Sequence, residues 1–411
     1  MKKNTYIFWL LILLLPFYCQ KENSTEPEPG NGSHPQVDIP WPSLAESPWP
    51  STHGDMQCTG RSRYEGPREG KVGWTYFNDG IFNEISGVVI GEDGTIYFCA
   101  KPERSPSVNY YLHALNPDGS LKWKKKLEGL MAWTPIIGAG DVIYVAAYGG
   151  PFYAFNSDGT VKWTYDTSTI IYTFAPALGL DGTIYFVDVE GTLYALNSDG
   201  SLKWTTRGTA GLYMENPNYS IAMSPDGGVL YAGGSDNTFN AIDAHTGSVR
   251  WQLPTGYILQ TSPLVDCSGN IYFIKLDSTF VIWSVTPEGE FRWKSDVYVH
   301  HFVSLHIDKD GNIYAYGGKN KLLCFDYAGN LRWSKVMLDA DISIHQTSIR
   351  GDCKGMIYFD YTYRYIIAMD QSGNRQFICE LPDTSYGRIM GAISSDACLY
   401  VAGRFEFFCI K

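Results

Sequence analysis

The sequence predicts an all-β fold, an eight-bladed β-propeller whose blades are four-stranded antiparallel sheets. Three observations predict it. A phrase of the form (D)G-x-I-Y, with variants, recurs eight times, at Tyr97, Tyr144, Tyr185, Tyr231, Tyr272, Tyr314, Tyr358 and Tyr400. A second phrase, (D/E)G-x-x-x-W, also recurs eight times. It closes on Trp74, Trp123, Trp163, Trp204, Trp251, Trp293, Trp333 and a degenerate Phe377, at spacings of 49, 40, 41, 47, 42, 40 and 44. Composition is the third: 15% aromatic residues, 42 glycines and only 18% charged residues suit short strands joined by tight turns. A length of 411 alone would suggest two or three ordinary domains, but a period near 40 joins the repeats into one ring.

Each repeat reads as four strands. In the clearest copy, Ala175 to Trp204, the stretches Ile184-Tyr185-Phe186 and Leu193-Tyr194-Ala195-Leu196 are strand-like, and Asp181-Gly182 and Asp199-Gly200 supply the positive φ of hairpin bends. A single four-stranded unit is too thin to bury its own faces, so neighbours must stack. An aromatic at one fixed place in every unit is assigned to packing between blades, each burying ~200 Å². The two ends explain how the ring shuts. Lys71 to Trp74 has no I-Y strand before it, and the last unit, from Gly391, stops before any tryptophan. Residues 71–77 are therefore expected to complete the eighth blade as its outermost strand, leaving no free strand edge between first and last blades.

The N-terminus reads as an address. Lys2 and Lys3 precede an apolar run from Tyr6 to Tyr18, the length of a signal-peptide core and short for a membrane span. Cys19 follows, then a stretch rich in Pro, Glu, Gly and Ser with no hydrophobic period. The arrangement resembles a bacterial lipoprotein signal, with Tyr18 where a small residue is usual. It implies cleavage after residue 18, acylation of Cys19, and a chain held in the cell envelope at the outer membrane, or otherwise periplasmic or secreted. The domain reading is 1–18 signal peptide, 19–48 tether, and 49–411 propeller with 49–70 as its lead-in. Lys+Arg 32 against Asp+Glu 43, net −11, gives no general attraction for nucleic acid.

The repeat, as in Ala114-Leu115-Asn116-Pro117-Asp118-Gly119-Ser120-Leu121-Lys122-Trp123, resembles the pyrroloquinoline-quinone-type (PQQ-like) propeller repeat, and Trp49-Pro50, His53, Asp55, Thr59-Gly60-Arg61-Ser62 and Gly66-Pro67 resemble the lead-in of secreted members. A WD repeat would place Asp after each Trp; here Lys, Thr, Gln or Ser follows. Two branches share the resembled repeat: quinone-dependent dehydrogenases and non-enzymatic propellers of the BamB type. The dehydrogenase branch implies an adjacent Cys-Cys pair and Glu, Asn and Asp ligands to calcium, and no two of the nine cysteines here are adjacent. Asp308-Lys309-Asp310-Gly311-Asn312 comes nearest to a calcium loop but lacks the closing Glu, and no metal site is assigned. Gly66 to Val72 is not a phosphate loop, and H-E-x-x-H and G-x-S-x-G are absent.

No catalytic residue is therefore assigned and no cofactor is expected. The leading expectation is a monomeric binding or scaffolding propeller that presents its blade loops to an envelope protein, peptide or glycan, touching membrane only through its lipid. A quinone- and calcium-dependent dehydrogenase and a carbohydrate-binding surface protein are the alternatives. Counting back from the innermost strands places Asn83, Glu84, His301, His345, Gln346 and Arg388 on one polar arc of the ring mouth, and Trp133, Tyr172, Tyr213 and Tyr219 on an aromatic side. A two-residue turn at Gly403-Arg404 would set Cys398 directly opposite Cys409 at disulfide range.

Overall fold

The computed structural model describes residues 33–76, 82–102, 110–173, 175–207, 220–234, 237–256, 261–300, 304–318, 320–338, 348–361, 364–382, 390–403 and 406–411. They form eight antiparallel sheets, and no helix occurs among them. In chain order the blades occupy 82–127, 131–165, 177–207, 222–254, 264–294, 306–336, 349–380 and 390–410. The third is typical: Ala177–Leu178, Ile184–Val187, Thr192–Leu196 and Leu202–Arg207 pair in that order from the bore outward. In the first two blades the innermost strand is split into two pieces that pair with the same neighbour.

Burial follows from stacking. Strands such as Ile184–Val187 are covered on both faces by neighbouring blades and are buried at every position, so they read as continuous apolar runs. Only the outermost strands keep the alternation of a half-exposed sheet, as Leu202–Arg207 does. The recurring aromatic at the third place of those strands lies across the glycine turn of the next blade. Its indole N–H donates to a carbonyl there: Trp74 to Pro117 (3.1 Å), Trp123 to Ser157 (3.0 Å), Trp163 to Ser198 (3.1 Å), Trp251 to Pro287 (2.8 Å), Trp293 to Tyr327 (3.1 Å) and Trp333 to Gln371 (2.9 Å). Trp204 still covers Gly247, but its indole nitrogen is buried without a partner. The turn it meets, Asp243 to Gly247, is one residue longer than Asn197 to Gly200, which moves the carbonyl away.

The ring is closed as the ends of the chain imply. Val72–Tyr76 pairs antiparallel with Phe407–Ile410, Trp74 opposite Cys409 and Thr75 opposite Phe408, and Lys71 and Lys411 exchange both backbone hydrogen bonds, at 3.0 and 2.8 Å. Phe377 of the seventh blade lies on Gly70, just ahead of that strand, so the lead-in supplies the turn for this interface. Gly70 has φ +66° and any Cβ there would run into the Phe377 ring. Gly140 has a similar φ of +71° with nothing within 4 Å of its missing Cβ. Gly140→Ala is thus expected to cost only the left-handed backbone, about 1–2 kcal/mol, and Gly70→Ala clearly more. Urea unfolding of the two variants checks this; equal losses would remove the ring contact from the account.

One difference from the expected layout is large. The compact unit begins at Ser33, so 33–48 is not free tether. The chain from Trp41 to Ser62 crosses one end of the bore and bonds to the last residue or two of seven successive innermost strands. The amides of Ile90, Ile137, Met223, Val265, Ile307 and Gly351 donate to the carbonyls of Trp49 (2.8 Å), Pro50 (2.9 Å), Met56 (2.8 Å), Gln57 (2.9 Å), Thr59 (3.2 Å) and Gly60 (2.9 Å). The Trp41 indole donates to Leu178 O at 2.6 Å. These partners lie on opposite sides of the ring, so the segment is a plug. Each bond satisfies a backbone group that the short inner strands leave unpaired. Trp49, 1% exposed, is buried where the plug meets the first blade.

The closing hairpin also departs from expectation. Its turn spans four residues, 403–406, closed by the Gly403 amide on Glu406 O at 2.9 Å, so Ala402 pairs with Phe407 and Cys409 faces Tyr400. Cys398 is one diagonal step away from Cys409, not opposite it. Both are thiols joined by a hydrogen bond that lowers Cys398 and raises Cys409.

Candidate functional site

The plug occupies the end of the bore where the innermost strands finish, which leaves the opposite mouth, where those strands begin, as the candidate site. Of the polar arc, Asn83 and Glu84 are placed on the innermost strand of the first blade, Phe82–Ile85. His301, His345, Gln346 and Arg388 lie outside the described residues, as do Tyr213 and Tyr219 of the aromatic side and Cys19 of the tether. Trp133 and Tyr172 are brought together, edge to face with centroids 5.9 Å apart, and Tyr148 meets Tyr172 the same way at 5.7 Å. Trp133 and Tyr172 are 7% and 4% exposed. Rings so buried cement the second and third blades and offer no open face for a sugar.

The seventh blade holds a group that sequence reasoning missed. Arg350, on its innermost strand, and Asp360, on the next, lie on the same sheet face and are 1% and 0% exposed. Arg350 Nη2 is 3.8 Å from Asp360 Oδ1 and donates to Ser348 Oγ, while the Ser348 amide donates to the same carboxylate oxygen at 3.3 Å. Arg350 Nη1 and Asp360 Oδ2 are buried with no partner. Beside them His306 meets Thr59 O of the plug at 2.8 Å through Nδ1, its Nε2 lying over Gly351, where a Cβ would not fit. The signal was available: Arg350 and Asp360 stand where other blades have apolar residues, such as Ala177 and Val187. A buried pair of this kind, at 3.8 Å and with one atom of each partner unsatisfied, is weak evidence for stability.

Burial raises the Asp360 carboxyl to about 7, against the pull of Arg350, and lowers His306 to about 4. A raised carboxyl keeps its proton in the fold between about pH 4 and 7, where the unfolded chain has lost it. It therefore favours folding at the acid end and loses that contribution as pH climbs through 7. His306, lowered, acts in the opposite sense between about pH 4 and 6.5. Asp360→Asn removes only the first effect, so its stability relative to the parent is expected to rise between pH 4 and pH 8. Urea midpoints at the two pH values check this; a pH-independent difference would contradict it.

None of these groups forms a nucleophile–base pair aimed at open space. Among the described residues no three His, Cys, Asp or Glu side chains are placed to hold a metal. No two of the nine cysteines are adjacent.

The sequence model of one family, described as outer membrane protein assembly factor BamB, matches residues 66–178 and 173–372. The chain belongs to that family. No curated protein matches the chain. Among solved structures it is similar to BamB from Moraxella catarrhalis, at 13% identity and TM-score 0.62, covering 83% of this chain and 99% of that one. It is equally similar to a europium-containing methanol dehydrogenase, at 12% identity and TM-score 0.65, covering 87% and 89%. A quinohemoprotein alcohol dehydrogenase from Comamonas testosteroni matches at 13% identity and TM-score 0.64, covering 91% and 82%. At such identities the likeness is one of fold, shared by family members and dehydrogenases alike.

Proposed function

We propose that this chain is a non-catalytic binding or scaffolding propeller of the bacterial cell envelope. It is exported by residues 1–18, anchored through a lipid on Cys19, and docks an envelope protein or peptide at its open mouth. One observation carries the reading: the lead-in seals one end of the bore through bonds to seven blades, leaving the other end for a partner. The description of its family and the likeness to BamB support an assembly role, and no quinone or calcium is part of it. Photo-crosslinking in the native envelope tests it. A benzophenone amino acid at Glu84, on the mouth, is expected to capture a discrete envelope protein, and the same probe at Val161, on the outer rim, is not. Equal capture from both positions, or stoichiometric uptake of pyrroloquinoline quinone with Ca²⁺ read by absorbance, would overturn the reading.

A further inference from the structure

The outer surface of the plug carries a cleft of about 430 Å³ built entirely from residues 38–63. Part of its wall is apolar and stiff, with Trp41, Pro42 and Pro48, and two guanidinium groups, Arg61 and Arg63, also line it. Arg61 is fixed by a backbone bridge to Gly351 and its side chain is 8% exposed. Its Nη2 donates to Val37 O (2.9 Å) and Asp38 Oδ1 (2.8 Å), while Nη1 is buried with no partner. The Ser47 hydroxyl, also lining the cleft, is buried without a partner, and Arg63 Nη2 reaches the Ser47 carbonyl at 3.4 Å. A buried guanidinium N–H left unmade is costly, and this one is closed to solvent, so an acceptor in the cleft meets it through a small shift of the side chains over it.

The acidic groups around the cleft are largely committed. Asp38 serves Arg61, and both oxygens of Asp55 accept from Thr59. Burial also raises the Asp55 carboxyl, against those two hydrogen bonds. Glu46, exposed at the rim, adds a charge that disfavours a dianion more than a singly charged group.

We propose that this cleft binds the carboxylate that ends a peptide chain, with Arg61, Arg63 and Ser47 holding the carboxylate and Trp41 with the prolines covering an apolar last side chain. The site faces away from the open mouth and is independent of what docks there. It makes the plug a second recognition surface, at the end of the bore opposite the mouth.

Calorimetric titration of the full chain with N-acetyl-phenylalanine, its C-terminal amide and inorganic phosphate tests this. The acid is expected to bind at least about tenfold more tightly than the amide and than phosphate, since a hydrogen bond to a charged group is worth about 1.5–3 kcal/mol. Arg63→Gln and Ser47→Ala, which keep the backbone bonds between plug and ring, are each expected to weaken the acid about tenfold with an unchanged melting temperature. Arg61→Lys keeps the charge but not the forked donor and is expected to weaken it further. Equal binding of acid and amide, tighter binding of phosphate, no binding of any of the three, or full affinity in both Arg63→Gln and Ser47→Ala overturns the proposal. These last two variants decide the matter if Arg61→Lys disturbs the plug.

Discussion

Trp49→Ala is expected to cost about 3–5 kcal/mol in urea unfolding, the range for removing a large buried aromatic. Trp49 is 1% exposed and sits where the plug crosses the first blade, its carbonyl accepting from the Ile90 amide at 2.8 Å and its ring lying against Gly54. Without the ring a cavity opens between plug and innermost strands. The loss will also be local: amides of Ile90 and Ile137, both bonded to the plug, will exchange with deuterium faster than those of Tyr185 and Tyr194 in the third blade. If the variant loses less than about 1 kcal/mol and its amide exchange is unchanged, the plug is an ornament on a ring that stands without it.

The second large effect concerns the closing sheet. Removal of residues 406–411 deletes Phe407, Phe408, Cys409 and Ile410, all fully buried, and leaves Val72–Tyr76 without its partner strand. It also bares an edge on Leu399–Ala402 and strips Trp74 of the Phe407 ring stacked on it at 5.9 Å. An open ring exposes both faces of its terminal blades and an unpaired strand edge, so the truncated chain is expected to lose cooperative thermal melting and to aggregate. Soluble truncated protein that melts cooperatively within a few degrees of the parent would contradict the closure.

Much of this was readable in advance because it repeats. Tyr185 and Tyr358 mark strands buried on both faces, and the Trp positions mark interfaces, since eight copies average away local exceptions. Closure was readable because the same phrase is cut at both ends, Glu69-Gly70-Lys71-Val72-Gly73-Trp74 being a repeat ending without its beginning. The plug was not. It has no period of two or 3.6 and few apolar residues, and six of the seven inner strands are met by backbone bonds that any side chain permits. Prolines that read as tether, such as Pro42 and Pro48, instead line a cleft. The Cys398–Cys409 register failed because hairpin register follows turn length, and a Gly-Arg-Phe-Glu turn carries no signature separating two residues from four. The Arg350–Asp360 pair is legible only by comparing equivalent positions across blades, where charge interrupts an apolar column.

The central claim is a ring shut by pairing the chain's start with its finish, and one cross-link tests it most directly. Lys71 and Lys411 are exposed and exchange both backbone hydrogen bonds, at 3.0 and 2.8 Å. Cα atoms of such a pair lie about 5.5 Å apart, within disulfide range. With both replaced by cysteine, mild oxidation of the folded protein is expected to yield one peptide pair joining positions 71 and 411 and a higher melting temperature. If mass spectrometry finds these two thiols unlinked while the protein remains folded, the two ends do not meet and the account fails.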